Sequence, residues 1–408
     1  MKKSVSLIYV YGLKNAGDMA INIGAIDLLH KLGYEVKLFS RFNKGNLEFK
    51  KSKDYLEALY PGIEIFDSPF ILKREEKFLK QLFFYTSGLF SLIGIPKPKF
   101  FIEKLINSDL VIFNGGNLFR SESIADYLRL LALMYPLKIT RMRKIPYLIF
   151  PQSASKIDFL GRLLLNKNLK NAIKVWTRED ISYNYLNSLF KNINLKKSFD
   201  LAFFIRFHEI AYEKFKIKYK GLIEQENKIK IAITLRTHTV GDLMEFNPER
   251  VNKILKKFER TINEFLRKKS YEIYLFCQTK KDKKITNKLY SKFRFDKNIY
   301  YIEEYDPLII KFFYGKCNLL IGMRLHSIIL ALSENTPAIG YFDKQWGYKN
   351  PGLMKKFELP YKFIEDDFED FSSFINNMLE REQNFRKSVK AIIEKEQQNF
   401  LYSLLKNN

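Results

Sequence analysis

Cysteine is scarce in this chain of 408 residues, which contains only Cys277 and Cys317, both within apolar runs. Two isolated cysteines make no disulfide framework, and no cysteine or histidine stands at the spacing of a zinc site. No cluster of carboxylates and histidines is spaced for another metal either. We therefore expect no bound metal, and we expect both thiols to be small buried hydrophobes.

Long apolar runs are also missing. The longest, residues 82–95, is broken by Ser87, Gly88 and Gly94 and falls short of the ~20 residues that a transmembrane helix needs. Basic residues flank it on both sides, which fits either a buried helix or a segment in the interface of an anionic membrane. The N-terminus leads straight into a predicted strand and does not resemble a signal peptide. We expect a cytoplasmic protein, and the interfacial alternative would place it at the inner face of the cell membrane.

Acidic residues are few relative to basic ones: 45 Asp and Glu stand against 70 Lys and Arg, for a net charge of +25. Such an excess attracts acidic substrates, nucleic acid or anionic membranes. The lysines are scattered, however, so a base-composition bias of the genome explains the charge equally well. Because no basic block is interleaved with aromatic residues, nucleic acid is not an expected partner.

The pattern that is present is an alternation of strands and helices, repeated in two series. It predicts an α/β fold of two Rossmann-like, doubly wound domains that face each other across a cleft. The first domain is expected over residues 1–205 and the second over 229–365, with 206–228 crossing between them. Helices over 366–408 are expected to pack back on the first domain. The first loop lacks the G-x-G-x-x-G spacing, so dinucleotide binding is not supported.

Polar and cationic residues follow the predicted strands in both series, at the strand ends where open α/β sheets bind their ligands. These residues are Asn15, Gly17 and Asp18; Asn114, Gly115, Gly116 and Asn117; Arg178; Arg236; Arg324 and His326; and Lys344. They predict an anion-handling site. The alternatives are that Arg324 sits in a structural ion pair, that His326 caps or packs a helix, and that Gly115-Gly116 forms a structural turn.

With these elements the sequence resembles the polysaccharide pyruvyl transferase family. The matching segments are Lys14-Asn-Ala-Gly-Asp18, Asn114-Gly-Gly-Asn117, Thr177-Arg-Glu-Asp-Ile-Ser182, Asp200-Leu-Ala-Phe203, and Arg324-Leu-His326 with Pro337 and Lys344 after it. Each segment is common by itself. Their order and spacing, over roughly residues 5 to 345, carry the resemblance.

The resemblance implies a fold similar to the two-domain GT-B glycosyltransferases. It also implies transfer of pyruvate from phosphoenolpyruvate to a sugar of a glycan or lipid-linked saccharide, as a ketal, with no cofactor beyond the donor. On this basis Arg324 and His326 form the catalytic core, and Lys344 and Arg178 contact the donor's carboxylate or phosphate. Arg236 is the alternative to Arg178. Arginine forks suit both anionic groups, and histidine titrates near neutral pH.

Two other classes of function stay open. A GT-B glycosyltransferase would use a nucleotide-sugar, whose ribose a pair of carboxylates from Glu303, Glu304 and Asp306 would hold. A non-catalytic module that binds anionic glycan or nucleic acid would explain the charge.

Overall fold

The computed structural model describes residues 3–70, 84–86, 88–91, 99–223, 228–239, 244–268, 270–347 and 349–406. The chain divides into two compact units. The first unit comprises Met1–Leu13 and Asp18–Arg206, and the second comprises Lys14–Gly17 and Phe207–Asn408. The division at Arg206 lies beside the domain boundary that the sequence predicts at residue 205.

The first unit is built on a parallel sheet in the strand order β3-β2-β1-β4-β6-β7-β8, with β5 pairing alongside β6. Its strands are β1 Ser4–Val10, β2 Glu35–Ser40, β3 Glu64–Phe66, β4 Leu110–Phe113, β5 Gly116–Ser121, β6 Tyr147–Ile157, β7 Lys174–Thr177 and β8 Leu195–Lys197. Its helices are Ala16–Lys31, Leu47–Leu59, Lys99–Ile106, Ile124–Met142, Phe159–Leu169 and Asp180–Leu189, and Leu201–Phe204 is a 3₁₀ turn. The strand order changes direction between β1 and β4. The topological switch point of this sheet therefore lies between the carboxyl ends of these two central strands.

The second unit repeats the arrangement with the order β11-β10-β9-β12-β13-β14. Its strands are β9 Ile229–Thr234, β10 Tyr271–Cys277, β11 Ile299–Glu303, β12 Leu319–Gly322, β13 Ala338–Phe342 and β14 Tyr361–Phe363. Its helices are Glu209–Ile223, Pro248–Leu266, Lys283–Tyr290, Pro307–Gly315, Leu325–Leu332, Lys349–Lys356, Ser372–Glu380 and Glu382–Leu405. The neighbouring strands of this sheet pair in parallel throughout the described residues. Every residue of β10 is buried, as expected where helices cover both faces of a parallel sheet.

These two sheets confirm the predicted doubly wound α/β class for each unit. In the second sheet the switch point falls between β9 and β12, which pair through Gly322 and Thr234. Local sequence signals mark where some of the helices begin. For example, the Asn247 side chain caps the helix that starts at Pro248 by accepting from the Arg250 amide, a polar cap followed by proline at the first helical position.

The predicted crossing segment, 206–228, requires a correction, because most of it is the helix Glu209–Ile223 of the second unit. Its aromatic side chains pack on Phe312, with ring centroids 5.2 Å from Tyr212 and 6.0 Å from Phe215. Tyr212, Phe215 and Tyr219 recur at the spacing of one helical face. The many charged residues between these aromatic residues make the segment look polar in the sequence, so its apolar helical face was not predicted.

The C-terminal helices have polar contacts with the second unit. Arg386 donates to the carbonyl of Cys317 at 2.8 Å, and the Asn318 amide donates to Glu382 at 3.1 Å. Both contacts lie within the second unit, to which residues 366–408 belong. The sequence predicts that these helices pack back on the first domain, and that packing stays a prediction.

Two further predictions concern the membrane and the thiols. In the described ranges, no helix combines the length and the apolar character needed to cross a bilayer. Half of the run 82–95 lies outside the described residues, and both interpretations of it stay predictions. Cys277 and Cys317 are buried as predicted, and burial raises the pKa of their thiols to about 11 and about 12.

Candidate active site

At the switch point of the first unit, the ends of β1 and β4 are joined by two buried asparagines. The Asn22 carbonyl oxygen accepts from the Tyr11 amide and from the Asn114 side-chain amide, each at 3.0 Å. The Asn22 amide donates back to the Tyr11 carbonyl at 3.0 Å, and the Asn114 oxygen accepts from the Gly115 amide at 2.8 Å. Asn114 is therefore held by protein groups, in a network that fixes the two strand ends.

The glycine pair after β4 lies against side chains of the first unit. A Cβ atom on Gly116 would stand 1.8 Å from the Tyr11 hydroxyl, and one on Gly115 would stand 2.8 Å from a methyl carbon of Leu201. The Tyr11 hydroxyl donates to the Gly115 carbonyl at 2.9 Å. These contacts match the structural-turn alternative. Asn117, which follows, is half-buried, and its oxygen is 3.5 Å from the Ser155 hydroxyl.

Gly116→Ala is expected to destabilise the protein by about 2 kcal/mol or more, because the methyl group meets Tyr11 and φ is +147° there. Urea unfolding followed by circular dichroism measures the change. Gly45→Ala is the matched control, since nothing lies within 4 Å of its added Cβ. Equal stability of the two variants would contradict the packing role of Gly116.

Arg178 follows β7 and makes a buried ion pair with Asp200. Its Nη1 lies 2.6 Å from the Asp200 carboxylate, and its Nε and Nη2 donate to the Ser153 hydroxyl at 3.0 and 2.7 Å. The Ser153 hydroxyl in turn donates to Glu179 at 2.9 Å. Two segments that the sequence singled out separately, residues 177–182 and 200–203, are thus joined. The Arg178 guanidinium, which the sequence predicts to contact an anionic ligand, is therefore paired with a carboxylate of the protein itself.

In the second unit the central strands are ordered β9-β12-β13, so three of the predicted residues follow neighbouring strand ends. Arg236 lies two residues past β9, His326 four past β12 and Lys344 two past β13. The Thr234 and Ser327 hydroxyls are 3.1 Å apart, which joins the end of β9 to the helix that carries His326. His326 is half-buried in the first turn of that helix, Leu325–Leu332, where the helix dipole favours anions.

Arg324 points its fork at a carboxylate of the same unit. Its Nε and Nη2 lie 2.6 and 2.5 Å from the two oxygens of Asp282, and Nη2 also donates to the Thr279 hydroxyl at 3.2 Å. Both side chains are at least nine-tenths buried. The structural ion pair that the sequence left open for Arg324 is therefore present.

Arg236 and Lys344 have different surroundings. The Arg236 guanidinium carbon lies 4.3 Å from the ring centroid of Trp346, and its Nη2 donates to the Thr239 carbonyl at 2.8 Å. Trp346 is fixed by its indole N–H, which donates to the His238 carbonyl at 2.9 Å. Lys344 is exposed, with its ammonium 5.5 Å from the Phe363 ring. Arginine stacked on an indole keeps its plane oriented.

The loop before the first helix supplies the remaining predicted residues. The Asn15 oxygen accepts from the Gly17 amide at 3.0 Å, which caps the helix, and Asp18 lies in the first helical turn. Residues 14–17 are grouped with the second unit. There a Cβ on Gly17 would stand 2.3 Å from Nδ1 of His326, so only glycine lets the loop approach the histidine this closely.

Sequence reasoning missed the partners Asp282, Asp200 and Trp346. Asp282 follows β10 as the one acid in Thr279-Lys-Lys-Asp282. An acidic residue after a predicted strand was the signal that could have indicated a partner for Arg324. The carboxylates considered for a nucleotide ribose have structural contacts. Glu304 accepts from the backbone amides of Tyr305 and Asp306 at 2.9 and 3.0 Å, and Asp306 caps the helix from Pro307.

Within the described ranges, no three His, Cys, Asp or Glu side chains come together in a way that could hold a metal ion.

Comparison with known proteins gives a family match and a shared fold. A family model described as polysaccharide pyruvyl transferase matches residues 15–341. The amylovoran biosynthesis protein AmsJ of Erwinia amylovora is 22% identical over 94% of this chain and 93% of that protein.

Solved structures that are similar to the whole chain include a glycosyltransferase and an epimerase. A glycosyltransferase from Rickettsia africae is 12% identical with a TM-score of 0.58, covering 100% of both chains. A UDP-GlcNAc 2-epimerase from Neisseria meningitidis is 14% identical with a TM-score of 0.59, covering 99% of this chain and 100% of that one. At such identities the likeness shows the fold alone, and it confirms the predicted GT-B-like architecture.

Proposed function

The chain belongs to the polysaccharide pyruvyl transferase family, a family of transferases in polysaccharide biosynthesis, and from this we propose that it transfers pyruvate from phosphoenolpyruvate to a sugar. The product is a ketal on a cell-surface glycan or on its lipid-linked precursor. The observation that carries the proposal is the alignment of Arg236, His326 and Lys344 at neighbouring strand ends of the second unit.

The proposed reaction needs two proton movements. The enol carbon of phosphoenolpyruvate gains a proton and becomes a methyl group, while two sugar hydroxyls form bonds to the adjacent carbon. The bond from that carbon to the phosphate oxygen breaks, and phosphate leaves with the electron pair. One hydroxyl proton is transferred to the methyl carbon and the other leaves with phosphate, so atoms and charge balance.

We assign the proton transfer to His326, since imidazole both accepts and donates a proton near neutral pH. The first turn of its helix favours the negative charge of the donor. Arg236 and Lys344 flank it and are proposed to contact the carboxylate and the phosphate. Arg324 and Arg178 are proposed as positioning residues, because each is engaged with a buried carboxylate.

We expect phosphoenolpyruvate to raise the thermal unfolding temperature, and UDP-sugars to leave it unchanged. Arg236→Lys should weaken donor binding about tenfold, because an ammonium cannot form the two parallel bonds of a guanidinium. Isothermal titration calorimetry measures the affinity, with the exposed Arg267→Lys as the matched control. Stabilisation by a UDP-sugar but not by phosphoenolpyruvate would instead favour the glycosyltransferase alternative.

Contact with an anionic membrane is proposed for the segment 82–95. Its described residues include Leu89 and Phe90, which are 53% and 43% exposed. Large exposed apolar side chains next to cations are typical of interfacial binding.

The double variant Leu89→Ser/Phe90→Ser is therefore expected to lose most flotation with liposomes that contain acidic lipid. Phe295→Ser, at a side chain 89% exposed in the second unit, is the control and should float like the wild type. If wild-type protein floats with neither acidic nor neutral liposomes, the buried-helix alternative is favoured.

A further inference from the structure

Tyr9, near the end of β1, combines an unusual backbone with an unsatisfied side chain. Its φ is +73°, and the pairing of β1 with β2 shifts register between Ile8 and Val10. Its side chain is 5% exposed, and its hydroxyl has no hydrogen-bond partner among the described residues. Strained residues and bulges of this kind concentrate at binding and catalytic sites.

Arg41, just after β2, lies over this tyrosine. Its guanidinium carbon is 5.2, 5.6 and 5.3 Å from the ring centroids of Tyr9, Tyr11 and Phe42. Its Nε is buried and makes no hydrogen bond within the part of the chain that is described. The three rings orient the cation, but they accept none of its directed hydrogen bonds in the plane of the guanidinium.

Arg129 brings a second guanidinium into electrostatic reach of both Tyr9 and Arg41. Its Nε is also buried without a hydrogen bond to any described residue, with the nearest Asp126 oxygen 4.0 Å away. That same oxygen accepts from Nη2 and Nε of Arg120 at 2.8 and 3.2 Å. Burial, with Arg120 and Arg41 contributing, lowers the pKa of Arg129, so the surroundings disfavour its charge.

The cluster thus has three guanidinium groups against two carboxylates, because Asp126 contacts Arg120 and Arg129, and Asp18 lies within electrostatic reach of Arg41. Three of its buried polar atoms, the Tyr9 hydroxyl and Nε of Arg41 and Arg129, have no hydrogen-bond partner among the described residues. Buried polar groups are nearly always hydrogen-bonded in folded proteins, and buried like charges are costly without a counter-ion. A bound oxyanion would meet both needs, because its oxygens accept from a tyrosine hydroxyl and from arginine forks.

We propose that Tyr9, Arg41 and Arg129 form an oxyanion-binding site of the first unit, which receives a carboxylate or phosphate group of the acceptor saccharide. This assignment rests on the proposed function and specifies its acceptor as an acidic one. The residues assigned to the donor belong to the second unit, and all three residues of this site belong to the first. The two sets of residues therefore have no member in common.

The test is calorimetric titration of the full chain with glucuronate, glucose 1-phosphate and neutral glucose. We expect one or both acidic sugars to bind and glucose not to bind. Binding of glucuronate alone identifies a sugar carboxylate as the group received, and binding of glucose 1-phosphate alone identifies a phosphate. Arg41→Gln should weaken the binding about tenfold or more, and Tyr9→Phe, which removes only the hydroxyl, should weaken it several-fold.

Arg143→Gln, at an exposed arginine of the same unit, is the matched control and should bind like the wild type. The inference is overturned if neither acidic sugar binds, if glucose binds equally well, or if Arg41→Gln and Tyr9→Phe bind unchanged. Phosphoenolpyruvate titrated into Arg41→Gln separates the two proposals. If Arg41→Gln binds both phosphoenolpyruvate and the acidic sugars like the wild type, this site alone is rejected. If the wild type does not bind phosphoenolpyruvate, the proposed function is rejected.

Discussion

His326→Ala is expected to lower pyruvyl transfer by about 10²- to 10⁴-fold, the usual contribution of a positioned general acid or base. The imidazole is half-buried at the start of the helix Leu325–Leu332. Alanine is compatible with that first turn, so we expect the variant to unfold cooperatively with a urea midpoint close to that of the wild type. Release of inorganic phosphate in the presence of acceptor measures the rate, and calorimetry with phosphoenolpyruvate measures donor binding.

The matched control is His208→Ala, at a second half-buried histidine of the same unit, and it should retain wild-type turnover. A soluble His326→Ala protein with near-normal turnover would remove the histidine from the mechanism. If turnover falls only because donor affinity falls in proportion, His326 binds the donor and does not transfer the proton.

Arg324→Ala is expected to lower the free energy of unfolding by about 3–5 kcal/mol, since it leaves the buried Asp282 carboxylate without its partner. Arg324→Lys should also destabilise, because an ammonium cannot contact both carboxylate oxygens as the guanidinium does. Replacing both members, as Arg324→Met with Asp282→Leu, should recover much of the loss. Apolar replacements of a buried pair are often neutral or stabilising.

Urea denaturation of the four proteins measures these differences. The exposed pair Lys53 and Glu57 is the control, and Lys53→Ala should change the free energy of unfolding by less than about 0.5 kcal/mol. An Arg324→Ala variant as stable as the wild type, but with much weaker phosphoenolpyruvate binding, would contradict the positioning role. Arg324 would then be the direct donor contact that the family resemblance implies.

Much of the fold could be predicted because its signals are local. Buried parallel strands are short apolar runs, and loops with asparagine and glycine precede helices. The asparagine cap at Asn15 and the run into β12 are examples that require no knowledge of distant residues. The order of strands then follows from right-handed crossovers, and strand ends indicate where ligands bind.

The contacts of the site residues could not be predicted in the same way. The partners of Arg324 and Arg178 lie 42 and 22 residues away in the chain. A sequence pattern shows that an arginine follows a strand. Whether its guanidinium faces a ligand depends on whether another strand end brings a carboxylate to it, and the pattern does not show that. The Gly115-Gly116 pair is similar, because Tyr11 and Leu201 require glycine there.

The two buried thiols have a practical consequence for spectroscopy. Burial raises the pKa of Cys277 to about 11 and that of Cys317 to about 12, so both are almost entirely in the unreactive thiol form at pH 7. Maleimide dyes should therefore react selectively with a cysteine introduced at the surface, without removing the native pair. Both thiols belong to the second unit. In the unmodified chain, the slow rate of alkylation then reports how often that unit opens, independently of the stability of the first.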